Sequence, residues 1–68
     1  MKTLMWEAKG SPELLAWALE HAPAGADVYR GGDGRVVVID PTGAGLPDAP
    51  AELLDRPVHV WPFERVLR

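Results

Sequence analysis

The chain has 68 residues, no cysteine, 47% hydrophobic and 25% charged residues, and a formal net charge of -3. Without cysteine, disulfides, thiolate metal sites and thiol nucleophiles are excluded together, and the seven Lys and Arg are scattered rather than gathered into the basic stripe that nucleic acid requires. A chain this short makes one domain, residues 1–68, near the lower size limit for folding without disulfides or metal.

No apolar run approaches the roughly 20 residues that span a bilayer. Glu7 and Lys9 interrupt the N-terminal stretch too early for a signal-peptide core. The expectation is therefore a soluble, cytoplasmic protein with no membrane or nucleic-acid partner.

Thr3 to Ala8 is predicted as the first strand, with both faces largely apolar until Glu7. Gly10 ends it. Ser11-Pro12-Glu13 then forms a helix start, with Ser11 as N-cap, Pro12 at the first helical position and an acid in the first turn. Leu15, Ala18, Leu19 and Ala22 recur at helical spacing as a core stripe, widened by Leu14 and Trp17, while Glu13, Glu20 and His21 look outward. Pro23 stops the helix near Ala22.

Asp27 to Arg30 reads as a second strand, turned back by Gly31-Gly32-Asp33-Gly34 into a third over Arg35 to Asp40. The third strand holds Val36-Val37-Val38-Ile39, four β-branched residues with no polar face. Such a run calls for cover on both sides of the sheet. Residues 41–50 carry three Pro and two Gly and read as irregular chain, and Pro50 to Asp55 allow one or two helical turns before Pro57. Val58 to Trp61 alternates as a last strand, Pro62 pointing to an edge position or a bulge, with Phe63 to Leu67 continuing it.

The order strand, helix, strand, strand, short helix, strand is the βαββαβ pattern of an α+β, ferredoxin-like fold: a four-stranded antiparallel sheet, one full helix and a short second one. Its first and third strands are central, and these are the two most apolar strands here. The helices cover one sheet face. The other carries about half of Leu4 to Ala8 and of Val36 to Ile39, among them Met5 and Val37, and nothing in the chain is expected to cover it. Apolar area of this kind marks an association surface.

With this element order and open face, the whole chain resembles the dimeric α/β-barrel superfamily, which includes the antibiotic-biosynthesis-monooxygenase-like and the stress-responsive barrel proteins. The resemblance implies two copies packed sheet to sheet. For the monooxygenase-like members it further implies a cleft between helices and sheet lined by polar and aromatic residues. The chain contains neither Asn nor Gln, so no amide role of that family has a position here.

Among candidate residues, His59 is the catalytic one, because a strand-borne imidazole titrates near neutral pH. The plainer reading is a solvated strand histidine, with no acid flanking it at matching parity. His21, at the helix end, is accounted for by the helix dipole. A His21/His59 metal site lacks a third ligand with recognisable spacing, so no metal and no cofactor are expected. Trp6, Trp17, Trp61, Tyr29 and Phe63 are many aromatics for a small chain. Trp6 and Trp17 are expected to meet in the core, and Trp61 to lie at an edge or interface. Ligand or interface residues are accordingly Trp61, Trp17, Met5 and Val37.

Gly43-Ala44-Gly45 lacks the third glycine and the helix of a dinucleotide loop, and a hairpin turn accounts for Gly31 to Gly34. Ser11, the only serine, is occupied as a cap, and Asp40 and Asp55 stand alone. Three functions fit. The first is a non-catalytic homodimer binding a partner protein or small ligand. The second is a cofactor-independent, monooxygenase-like enzyme for an aromatic compound held near Trp17, His59 and Trp61. The third is a sensor of a small metabolite.

Overall fold

A computed structural model describes residues 2–66. Strand β1 spans Lys2–Lys9, helix α1 Glu13–His21, β2 Asp27–Arg30, β3 Arg35–Asp40 and β4 His59–Glu64, with a single 3-10 turn at Ala51–Leu53 in place of a second helix. The sheet is antiparallel in the order β2-β3-β1-β4. This is the expected α+β, ferredoxin-like arrangement, its second helix reduced to one turn. The apolar strands β1 and β3 are central. Of the expected continuation Phe63 to Leu67, Phe63 and Glu64 belong to β4, Arg65 and Val66 lie beyond its end, and Leu67 lies outside the described residues.

The register sorts each strand onto two faces. Trp6, Val38 and Val28 stand side by side, and Ala8 stands beside Val36. Trp6, Ala8, Val36 and Val38 meet Leu14 and Ala18 of α1 to form the buried core, with Val28 packed partly buried against it. Trp6 and Trp17 meet as expected, ring centroids 6.1 Å apart and stacked. The helix packs over β3 and β2, not over β4. Its stripe is therefore narrower than helical spacing alone predicts, and Leu19, expected in the core, is 61% exposed.

The start of α1 also differs from expectation. Pro12 already has helical backbone angles, but no side chain caps the helix. The Ser11 carbonyl accepts the Leu14 amide at 3.0 Å, whereas its buried hydroxyl finds no partner. At the other end, the His21 ring lies against Trp17, and its Nδ1–H donates to the Trp17 carbonyl at 2.9 Å. That contact holds the imidazole against the last turn of the helix.

The end of β1 is stitched on both sides. Gly10 N–H donates to the Gly34 carbonyl, Ser11 N–H to that of Leu53, and Asp55 N–H to that of Lys9. Gly10 is required by this crowding: a Cβ there would lie 1.8 Å from the Leu53 carbonyl oxygen. Gly34 turns the β2–β3 hairpin at φ +84°, a region open to glycine.

Candidate functional site

The sheet face turned away from α1 is the first candidate. Counting by register, Met5 lies between Ile39 and Trp61, Glu7 between Val37 and His59, and Thr3 beside Phe63. Tyr29 and Asp27 complete the β2 side. Trp61, Phe63 and Tyr29 are 41%, 52% and 55% exposed, and Met5, Val37 and Ile39 are half-buried. No helix of the described residues lies over this face. Met5, Val37 and Trp61 are thus brought together on one surface, while Trp17 sits behind the sheet on the helix side.

This separation bears on the aromatic pocket expected near Trp17, His59 and Trp61. His59 and Trp61 meet edge to face, centroids 5.5 Å apart, but Trp17 stacks with Trp6 on the opposite side of the sheet. The three do not line one cavity.

Glu7 is a functional group that strand parity alone did not single out. It is 7% exposed, on an otherwise open face. Arg56 donates to its carboxylate at 2.5 Å, and Arg35 Nε lies 3.2 Å away. The buried carboxylate is therefore compensated by two guanidinium groups, as burial of a charge demands. Arg35 stands two pairs along on β3, on the same face, and was within reach of a register argument. Arg56 arrives from 49 residues away, and no local pattern announces it. An acid does stand directly across from His59, contributed by the neighbouring strand and engaged by these arginines.

Asp40, expected to stand alone, is fully buried at the end of β3. Its Oδ1 accepts the Thr42 amide at 2.9 Å and the Thr42 hydroxyl at 2.6 Å, and its Oδ2 accepts the Gly45 amide at 2.7 Å. Burial pushes the carboxyl up, but the hydrogen bonds from the Thr42 hydroxyl and the backbone amides of Gly45, Thr42 and Gly43 outweigh it, and its pKa lies below the usual carboxylate value. The role is structural: the charge fixes the path of the loop leaving β3. The Asp-Pro-Thr-Gly order is the legible signal, since Asp side chains bond backbone two residues on.

Among the described residues, no three His, Asp or Glu side chains gather as a metal site, and no helix is long and apolar enough to cross a membrane. No family model, curated protein or solved structure matches the chain.

Proposed function

We propose that this is a small non-catalytic binding protein that acts as a homodimer, two chains closing their open sheet faces on each other, in the manner of the dimeric α/β barrels that its topology resembles. The observation that carries the reading is the surface formed by Met5, Val37, Ile39, Tyr29, Trp61 and Phe63. Apolar side chains so grouped gain by leaving water. Pairing through the sheet edges is a poorer alternative. Pro62 lies inside β4 and lacks a donor, and β2 has four residues with a charge at each end. The charged groups near the face support a binding role over a catalytic one, because Glu7 is engaged by Arg35 and Arg56.

Four strands spaced about 4.8 Å apart, each about six residues long, present a planar footprint of about 400 Å². A standard interface buries about 800 Å² of accessible surface per partner. The footprint is about half the standard size, in the class of weak, reversible contacts, so a dissociation constant of micromolar or weaker is expected. Sedimentation velocity from about 1 μM to about 1 mM is expected to show a monomer–dimer transition. Trp61→Asp is expected to weaken association by about tenfold or more, since it replaces a large aromatic of the face with a charge. A monomer at every concentration refutes the reading, as does a dimer indifferent to both Trp61→Asp and Met5→Asp.

A further inference from the structure

On the opposite side of the sheet, α1 covers the β2–β3 half. The β1–β4 half is covered by the segment 45–58, which contains one helical turn. Where a second helix would fill this space, a pocket of about 490 Å³ remains. Leu4, Trp6 and Val60 form its sheet side, and Leu46, Leu54 and Val58 its outer wall. Its size falls within the roughly 300–1,000 Å³ typical of small-molecule sites, and so does its apolar lining.

We propose that this pocket binds a compact apolar ring system carrying a protonated amine. Two features beyond its shape support this. The first is that the outer wall is anchored. The buried Asp40 carboxylate accepts the Thr42 and Gly45 amides, and Gly45 borders the pocket. The backbone entering the wall is therefore tied to the end of β3, which holds the wall in place while Leu46, Ala49, Leu54 and Val58 pack against the core around Trp6. The second is the charge. Asp48 is the one ionisable residue on the lining, and among the described residues it has no ion-pair partner. Lys9, Arg35 and Arg56 are drawn instead to Glu7 and Asp33. The lining thus offers apolar contact over most of its surface and a single negative charge, which selects a cation over an anion of the same shape.

The site lies on the other side of the sheet from the proposed dimer face, so the two readings fail independently. The test is a titration followed by methyl NMR, using 1-naphthylmethylamine as the probe and 1-naphthylacetate as its anionic counterpart. Saturable shifts at Leu4, Leu46, Leu54, Val58 and Val60 are expected with the amine, which should bind about three- to fivefold more tightly than the acetate, the range of an exposed ion pair. Asp48→Asn, an exposed substitution, is expected to abolish that preference while leaving the apolar binding in place. Ala49→Trp is expected to fill the pocket and remove the shifts for both probes. The proposal is overturned if neither probe gives saturable shifts up to millimolar concentration, if shifts fall on Met5, Val37 and Ile39 instead, or if amine and acetate bind equally.

Discussion

Replacing Asp40 tests whether a single buried carboxylate organises the loop after β3. Its oxygens accept three hydrogen bonds of 2.6, 2.7 and 2.9 Å. Hydrogen bonds to a charged group contribute about 1.5–3 kcal/mol each. The full sum is not expected, because Thr42 is exposed and regains water once released. Asp40→Ala is therefore expected to cost about 3 kcal/mol, a large part of the stability of so small a core. Because the folded pKa is lowered, the carboxylate's contribution is present above the unfolded value of about 3.9 and is lost as pH falls through the folded value. Urea unfolding followed by tryptophan fluorescence at pH 7, 5, 4 and 3 measures this. The difference in stability between wild type and Asp40→Asn is expected to be constant from pH 7 to 5 and to shrink below pH 4. A difference that stays flat to pH 3, or an Asp40→Ala variant within about 0.5 kcal/mol of wild type at pH 7, refutes the reasoning.

Gly10→Ala is expected to cost about 2–4 kcal/mol in urea unfolding. Its Cβ must push the Leu53 carbonyl away and strain the hydrogen bonds that join Ser11 to Leu53 and Asp55 to Lys9. A loss under about 1 kcal/mol would mean that the 53–55 segment does not hold β1 as described. Leu19→Lys should shift stability by less than about 0.5 kcal/mol, as for surface positions generally. A loss of about 2 kcal/mol in thermal or urea unfolding would place Leu19 back in a core.

Much of the fold was legible because local rules and topology agree. Four β-branched residues in a row mark β3 as central, the Gly31 to Gly34 turn defines the hairpin, and Pro23 ends the helix. The Trp6–Trp17 contact was legible too, since helix and strand each present one large aromatic to the same layer. The extent of the core stripe was not. Helical spacing places Leu15 and Leu19 together in the stripe, but the position of α1 over β2 and β3 buries Leu14 and Ala18, leaves Leu15 half-buried and exposes Leu19. Strand parity likewise assigns Glu7 to the outer face, and cannot tell that Arg56 folds back over it.

The sequence by itself determined the element order, the antiparallel sheet and the presence of an apolar face, because period, turn chemistry and proline placement act over a few residues. The tertiary structure alone decided what those faces enclose. It set Trp17 behind the sheet from His59 and Trp61, buried Glu7 between two arginines, and left a pocket beside Trp6 where only one helical turn stands. Each depends on residues tens of positions apart meeting in space, a consequence of packing that no local pattern encodes.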